Sequence, residues 1–411
     1  MSDVPACRVC GSALERVFVD LGTSPLSNAL LRPAELLRPE MHWPLRVFVC
    51  EVCLLVQLPA FEAPESIFDA EYAYFSSYSD SWLSHARSFA DTMMTSLKLS
   101  AQSFVVEVAS NDGYLLRWFH EAGIPVLGIE PAANTADAAQ RLGIPTRVAF
   151  FGAVLARELR AEGAGADLMI ANNVLAHVPD LHDFVEGFRL LLRPSGVATF
   201  EFPHLLRLIQ HTQFDTIYHE HYSYLSLHVV ERVFQEHALA VHDVEEIPTH
   251  GGSLRVHASP RQSGRQPSPR VGMVRAQEEQ AGLTRLDGYA SFAPRVYAIK
   301  DELVKFLVEA KSEGRRVVGY GAPAKGSTLL NFAGIRSDLL PYTVDRSPHK
   351  QGRYLPGVRI PIHAPERIMD DRPDLVLILP WNIKDEIVEQ MKAVRDWGGR
   401  FAVPIPRLMF L

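Results

Sequence analysis

The chain has 411 residues, 47% hydrophobic and 22% charged, and carries a net charge of −7. This acidic balance argues against a nucleic-acid-binding protein, and no apolar run reaches the roughly 20 residues that a membrane helix needs. The first residues have neither the basic start nor the apolar stretch of a signal peptide, so we expect a cytoplasmic protein of two or three domains.

Every cysteine of the chain lies in its first 53 residues, in two Cys-x-x-Cys pairs: Cys7 with Cys10, and Cys50 with Cys53. Each pair can present two thiolates from one tight turn, and two such turns complete the tetrahedral site that Zn²⁺ prefers. No histidine joins the set, so we predict a structural zinc site within a small domain at residues 1–65, whose metal supplies much of its folding free energy. The alternative is four free buried cysteines.

The next part of the chain, which we assign to a central domain at residues 66–265, alternates short apolar runs with helical stretches such as 181–192. The predicted strands lie at 104–108, 126–129, 167–170 and 196–201. Such alternation indicates a parallel sheet with helices on both faces. A helix and two further strands are predicted within 227–258.

Small or polar residues follow three of these strands, where open α/β sheets bind their ligands. They are Glu107, Ala109, Ser110, Asn111 and Gly113 after the first strand, Glu130 and Pro131 after the second, and Asn172 and Asn173 after the third. The pattern is similar to that of class I methyltransferases, whereas a dinucleotide site would favour Gly-x-Gly-x-x-Gly. We predict that these residues hold S-adenosylmethionine, with Glu130 accepting hydrogen bonds from the ribose. The alternative is a plain strand–turn–helix with glutamates on the surface.

A string of proton-handling side chains, Tyr218-His219-Glu220-His221-Tyr222, follows the fourth strand, and His177 follows the third. We interpret the string as the reacting centre, because acid–base chemistry needs such groups within hydrogen-bond reach of a substrate proton. The alternatives are a surface histidine cluster or a metal site. Upstream, the aromatic segment 71–78 is predicted either to cover the active site or to pack in a core.

A second strand–helix alternation follows a proline-rich linker at 258–270 and a long helical region at 273–313. Its strands are predicted at 316–320, 342–345 and 375–379, in a C-terminal α/β domain at 266–411. The Gly-rich turn after the first of these offers free amides and a lysine to a diphosphate, without the spacing of an ATP-binding loop. The predicted substrate-binding residues are Gly319, Tyr320, Gly321, Lys325, Gly326, Ser327 and Asp345.

These strings in this order resemble the sugar C-methyltransferases of deoxysugar biosynthesis in antibiotic pathways, over essentially the whole chain. The resemblance implies a zinc-binding domain, a central methyltransferase domain and a C-terminal Rossmann-like domain that helps to hold a dTDP-linked 4-keto sugar. It implies methylation next to the ketone, with C-3 favoured over C-5, and a monomer is expected.

The same resemblance implies that Tyr72, His177, Tyr218, Glu220 and His221 are the active-site residues. His221 is the expected general base, with Tyr72 as its rival. Glu220 would orient a histidine, and Tyr218 or His177 would donate a hydrogen bond to the developing oxyanion.

Two other functions fit part of the sequence. An oxidoreductase could bind NAD at the turn around Gly319 and Gly321, but this leaves Glu107 to Gly113 unexplained. A zinc-dependent binding protein without enzymatic activity leaves Tyr218 to His221 unexplained.

Overall fold

The computed structural model describes residues 4–62, 75–78 and 80–411, which contain three β-sheets and the helices packed on them. The strands are β1 Val17–Ser24, β2 Trp43–Val49, β3 Val56–Gln57, β4 Val105–Val108, β5 Val126–Glu130, β6 Thr146–Val148, β7 Ala166–Asn172, β8 Leu192–Pro203, β9 Ser223–Tyr224, β10 Leu239–Ile247, β11 Ser253–Pro260, β12 Val317–Tyr320, β13 Thr343–Val344, β14 Ile362–His363, β15 Leu375–Ile378, β16 Arg400–Val403 and β17 Met409–Phe410. The α-helices are α1 Asp80–Leu97, α2 Leu116–Glu121, α3 Ala133–Arg141, α4 Ala153–Ala161, α5 Leu181–Leu191, α6 Leu205–Gln210, α7 Leu227–Glu236, α8 Pro269–Gln280, α9 Phe292–Ser312, α10 Ala324–Ala333, α11 Glu366–Asp371 and α12 Lys384–Gln390.

The N-terminal sheet is antiparallel and has the order β1-β2-β3-β9. Its fourth strand does not come from the N-terminal residues. In β9, Tyr224 pairs with Val56 and Ser223 pairs with Gln57, directly after the Tyr218–Tyr222 string. The backbone of the predicted reacting centre is therefore tied by hydrogen bonds to the cysteine-bearing part of the chain.

The central sheet has seven strands in the order β10-β11-β8-β7-β4-β5-β6. The five strands from β8 to β6 are parallel, as the alternating pattern predicts, while β10 and β11 are antiparallel neighbours at the other edge. Among the five parallel strands, chain order runs outward in both directions from the β4–β7 pair, and such a switch point opens a crevice at the carboxyl ends of the strands. The residues predicted to bind the methyl donor follow β4, β5 and β7.

The C-terminal sheet has the order β14-β13-β12-β15-β16-β17 and is parallel except for β17. Each of the three strands predicted here is present. The switch point of this sheet lies between β12 and β15. The turn from Gly321 to Lys325 follows β12 and leads into α10, so it lies at the carboxyl edge of this sheet.

The helical region predicted at 273–313 is present, and it consists of two helices, α8 and α9, with a 3₁₀ turn, Leu286–Tyr289, between them. Two glycines allow the chain to reverse there. Gly282 has a φ of +81°, and a Cβ at Gly288 would come within 2.2 Å of the Gly282 carbonyl oxygen. The linker predicted at 258–270 is also shorter, since β11 extends to Pro260 and α8 begins at Pro269.

One hydrophobic core joins the N-terminal sheet to the C-terminal part of the chain. Phe18 of β1 stacks on Phe292 of α9 with ring centroids 4.5 Å apart. A second core contains the cysteines together with the inner face of the central sheet. Within the described ranges, we find no helix with the length and hydropathy needed to cross a bilayer.

Candidate active site

The four cysteine sulfurs converge, as the paired spacing predicts, and all lie within 4.8 Å of one another. A backbone hydrogen bond of the same kind closes both Cys-x-x-Cys turns. The amide of Gly11 donates to the Cys7 carbonyl at 2.9 Å, and that of Leu54 donates to the Cys50 carbonyl at 3.0 Å. Each fifth residue has a positive φ, +72° for Gly11 and +65° for Leu54, which folds the chain back over the sulfurs.

This donor set suits Zn²⁺, which prefers four thiolates in a closed tetrahedral site. Hydrogen bonds from N–H groups also reach the sulfurs: Gln57 Nε2 donates to Cys7 at 3.1 Å, and the Val52 and Cys53 amides donate to Cys50 at 3.4 and 3.5 Å. Such donors stabilise thiolates and fix their orientation. The four cysteines therefore fit a structural zinc ion, with no ligand position left for substrate.

The turn after β4 holds three residues in the left-handed region, where non-glycine side chains are uncommon. They are Ala109 at +55°, Asn111 at +49° and Gly113 at +78°. A Cβ at Gly113 would come within 3.2 Å of Ala139, so this position has little room for a side chain. Backbone strain of this kind is found at ligand-binding sites. Three of the sequence-predicted donor residues thus form one tight turn at the sheet's carboxyl edge.

Glu130 at the end of β5 holds that turn in place. Its Oε2 accepts from the Asn111 amide at 2.8 Å, and its Oε1 accepts from the Ala132 amide at 2.9 Å, just past Pro131. Burial raises the pKa of Glu130, and these two amides oppose the shift. Glu107, at the end of β4, is fully buried, and burial raises its pKa well above the usual range.

Some of the buried polar atoms that lack a hydrogen-bond partner, among the residues that the structure describes, lie at the same edge. They are Ser110 Oγ, Asp112 Oδ1, Asn172 Oδ1 and Asn173 Oδ1. A buried polar atom without a partner costs about 1–3 kcal/mol, so such a group calls for a polar ligand. The residues after β4, β5 and β7 therefore fit S-adenosylmethionine, and Asn173 has the same left-handed backbone, at +55°.

The ring of His221 is the centre of the predicted reacting site. Its Nδ1 lies 2.8 Å from the Thr216 carbonyl oxygen, which can only accept, so Nδ1 carries the proton and Nε2 is left as the acceptor. The ring lies 4.7 Å from that of His177 and 4.0 Å from that of Tyr218, between centroids. His177, Tyr218 and His221 therefore do come together.

Both histidines are neutral at pH 7. Burial, and then the neighbouring His177, holds the pKa of His221 well below its usual range. Burial lowers the pKa of His177 to about 4, opposed by a hydrogen bond with the Glu220 backbone. A neutral imidazole with one free nitrogen is the form that can accept a proton.

That Glu220 orients a histidine stays a prediction, and its contact with a histidine ring here is the hydrogen bond of its backbone with His177. Its buried carboxyl is bound instead by Asn28, whose Nδ2 lies 2.8 Å from Oε1 and 3.0 Å from Oε2. The segment Tyr218–His221 forms a turn, closed by the His221 amide, which donates to the Tyr218 carbonyl at 2.9 Å. His219 contacts the N-terminal part, 3.2 Å from the Pro44 carbonyl oxygen.

His250 belongs to this cluster and was not predicted. It lies in the turn between β10 and β11 with a φ of +54°. Burial lowers its pKa to about 4, and the charge of Lys325 acts in the same direction. Thr249 ties the turn to Glu201 at the end of β8 (3.1 Å). The one sequence signal is the local string His250-Gly251-Gly252, which indicates a tight turn but not its location.

Lys325 points from the C-terminal part into the same region. Its ammonium lies 2.9 Å from Asn382 Oδ1 and 4.7 Å from the centre of the Trp381 ring. Its charge lowers the pKa of His221 and His250, so the lysine lies within electrostatic reach of the histidine cluster. Trp381 in turn donates to Asp215 Oδ2 at 2.6 Å, which joins the C-terminal and central parts.

The other residues predicted to bind substrate surround this turn. Asp345 accepts from the Ala322 amide at 2.8 Å, much as Glu130 holds the turn in the central sheet. Gly321 has a φ of +93°, and a Cβ on it would meet Pro380 at 2.4 Å.

The remaining members of that set are mostly enclosed. Gly319, Gly326 and Tyr320 are buried in packing at the sheet edge, and Ser327 donates to the Ser27 carbonyl at 3.0 Å. Their contact with substrate stays a prediction, and for Ser327 it would require breaking that bond.

Tyr72, the rival base, lies outside the described residues, as do residues 71–74 of the aromatic segment. The described end of the aromatic segment contacts the turn after β4. The Ser76 amide donates to Asn111 Oδ1 at 2.9 Å, and the Ser77 amide donates to Asp112 Oδ2 at 3.1 Å. The alternative of a lid or a core for the aromatic segment stays open.

Three family models match the chain in the order of its three sheets. "Putative zinc binding domain" matches residues 7–68, "Methyltransferase domain" matches 83–244, and "C-methyltransferase C-terminal domain" matches 248–406. The chain is 36% identical over 403 residues to C-methyltransferase NovU of Streptomyces niveus, covering 98% of this chain and 96% of that protein.

Among solved structures, the chain is similar to the PH0226 protein of Pyrococcus horikoshii OT3, at 16% identity and a TM-score of 0.38, over 49% of this chain and 99% of that one. It is also similar to magnesium protoporphyrin IX methyltransferase of Synechocystis PCC 6803 with bound SAM. That match has 14% identity and a TM-score of 0.33, over 44% of this chain and 81% of that one.

Proposed function

Because the chain belongs to the C-methyltransferase family that includes NovU, we propose that it methylates a carbon next to the ketone of a dTDP-linked 4-keto deoxysugar, with C-3 as the methylated position. Membership of this family shows that the chain is an S-adenosylmethionine-dependent C-methyltransferase. This excludes both the oxidoreductase and the non-enzymatic alternative. The sugar, its dTDP group and a place in antibiotic biosynthesis are the proposed part.

The observation that carries the proposal is the state of the His221 ring. A sugar carbon becomes a nucleophile only after it loses a proton, and a neighbouring ketone makes that proton acidic. The ring is neutral, its Nδ1 is occupied by the Thr216 carbonyl, and Nε2 remains as a proton acceptor. A base of this kind, held in one tautomer, is what enolate formation requires.

The enolate also needs hydrogen-bond donors at the oxygen on which its negative charge collects. When His221 Nε2 takes the proton, the electron pair of the C–H bond spreads onto the ketone oxygen. The predicted donors to that oxygen are Tyr218 and His177, whose rings flank or contact the His221 ring. Preorganised donors of this type usually contribute several kcal/mol to the stabilisation of a transition state.

The cofactor-binding edge is adjacent in the chain to these groups, since His177 follows Asn172 and Asn173 by only a few residues. S-adenosylmethionine, when bound, supplies a methyl group on a positively charged sulfur. The residues proposed to hold it are Glu130 and the turn from Glu107 to Gly113. Holding both substrates in one cleft contributes a further large share of the rate.

The positive charge of Lys325, which acts on His221 and His250, supports the proposal that the substrate carries an anionic group. A cation from the C-terminal part lies within electrostatic reach of the neutral histidine cluster, so a diphosphate near Lys325 and a ketone near His221 can belong to one molecule. The division of the chain at residues 65 and 265, and a monomeric state, stay predictions.

Incubation of the enzyme with S-adenosylmethionine and a panel of dTDP-sugars tests the proposal. The panel contains a 4-keto-6-deoxy sugar, its 3-amino analogue and the corresponding 4-hydroxy sugar. We expect mass spectrometry to show the gain of one methyl group on a keto sugar and none on the 4-hydroxy sugar, which has no acidic C–H. Methylation of the 4-hydroxy sugar, or of none of the three, would overturn the proposal.

A further inference from the structure

The carboxyl group of Glu220 is held from outside the methyltransferase part of the chain. Within the described residues, Asn28 is its one side-chain hydrogen-bond donor, through Nδ2 at 2.8 and 3.0 Å from the two oxygens. Glu220 is 6% exposed, whereas Asn28 is an exposed residue. Asn28 therefore covers a buried carboxyl from the solvent side.

The loop that carries Asn28 is fixed on both flanks by the C-terminal part. On one side, Ser327 of α10 donates to the Ser27 carbonyl at 3.0 Å. On the other side, Leu31 and Tyr354 exchange two backbone hydrogen bonds of 2.9 Å each. Asn28 lies between these two anchors and cannot move far without breaking them. Its side-chain amide therefore has a defined position relative to Glu220.

Glu220 is linked to the rings of both His177 and His221. It precedes His221 in the chain, and its backbone is hydrogen-bonded to the ring of His177, which packs on His221. A shift of the Glu220 backbone would displace both rings, and the hydrogen bonds that anchor its carboxyl to Asn28 restrict such a shift. We propose that Asn28 is a positioning residue of the reaction, which holds Glu220 and through it the His177–His221 pair.

This assignment rests on the proposed function, in which His221 is the base. It gives the N-terminal part a role beyond its own folding, because a residue between the two cysteine pairs completes the reacting centre of the central part. The strand pairing of β9 with β3 acts on the same string. The N-terminal part thus holds the string at Glu220, its middle residue, and again directly after Tyr222.

The charge of Glu220 provides a readout that a merely structural contact would not move. Burial raises its pKa to about 7, and the Asn28 amide opposes that shift. Among the described residues, burial and Asn28 are the influences on this pKa. Its chain neighbours His219 and His221, and His177 on its backbone, each have a pKa that burial lowers. Because the amide favours the ionised carboxyl, its removal raises the pKa further.

Two substitutions test the inference, Asn28→Ala and Asn28→Asp, with Leu37→Ala as the control because Leu37 is 99% exposed in the same part of the chain. We expect Asn28→Ala to lower kcat about 10- to 100-fold, the usual effect of a small displacement of reacting groups, with unchanged affinity for S-adenosylhomocysteine. In Asn28→Asp, two carboxyl groups lie side by side and repel each other when both are ionised. The loss of kcat in this variant should therefore become larger as pH rises and smaller as pH falls. The control should match wild type.

Infrared difference spectra against Glu220→Gln measure the protonation midpoint of Glu220 without any sugar substrate. The midpoint should move to higher pH in Asn28→Ala and stay unchanged in Leu37→Ala. If Asn28→Ala does not fold, the isosteric Asn28→Asp carries the test. A wild-type kcat and pH profile in Asn28→Asp, or an unmoved midpoint, overturns the assignment. A wild-type enzyme that methylates no sugar overturns the proposed function instead.

Discussion

Replacement of His221 by asparagine should remove the base and leave the site otherwise folded. The asparagine Nδ2 can still donate to the Thr216 carbonyl, which His221 Nδ1 contacts at 2.8 Å, so the buried acceptor keeps a partner. The ring contacts with His177 and Tyr218 are lost, at about 0.5–1.5 kcal/mol each. That loss is small against the about 5–15 kcal/mol that stabilises a typical domain.

The effect on turnover should be much larger. A positioned general base contributes about 10²–10⁴-fold, which corresponds to about 3–5 kcal/mol of transition-state stabilisation. We expect kcat to fall by that factor in His221→Asn, with affinity for S-adenosylhomocysteine unchanged. His211→Asn is the matched control, because His211 is an exposed histidine outside the cluster.

Two assays separate proton removal from methyl transfer. Mass spectrometry of the sugar product follows methylation with S-adenosylmethionine. Deuterium uptake from D₂O, with S-adenosylhomocysteine in place of the methyl donor, follows proton removal alone. Both should be lost together in His221→Asn and kept in His211→Asn. Deuterium uptake at the wild-type rate in His221→Asn would refute the reasoning and leave Tyr72 as the base.

Three further outcomes follow from the same geometry. The protein should contain about one zinc per chain by metal analysis, and Cys50→Ser should lose zinc and unfold at lower temperature; a metal-free wild type would contradict the zinc assignment. Glu130→Ala should weaken S-adenosylhomocysteine binding about 10- to 100-fold by calorimetry, from the loss of a charged hydrogen-bond acceptor, whereas exposed Glu121→Ala should not. The lowered pKa of His250, about 4, contributes stability that is complete above about pH 6.5 and is lost as pH falls toward 4. His250→Asn should therefore reduce the acid sensitivity of unfolding by about 3 kcal/mol, and an unchanged pH dependence would contradict the neutral ring.

The chemistry of each local site could be predicted from the sequence because it depends on neighbouring residues. The spacing of Cys7, Cys10, Cys50 and Cys53 specifies two metal-binding turns, and their sulfurs do converge. The small residues after β4, with Glu130 after β5, indicate a ligand-binding edge wherever the strands form a parallel sheet. Short apolar runs also predicted β4, β5, β7 and β8, since a run of apolar and β-branched residues is a local signal.

The tertiary structure decided how these sites meet. Nothing in the local sequence of Asn28 indicates that it binds Glu220, because the contact depends on a loop anchored by the C-terminal part. His250 and Lys325 join the histidine cluster from two other segments for the same reason. Sequence patterns report the burial of a residue within its own helix or strand, whereas contacts between distant loops depend on how whole sheets pack together, and that packing is a property of the complete chain.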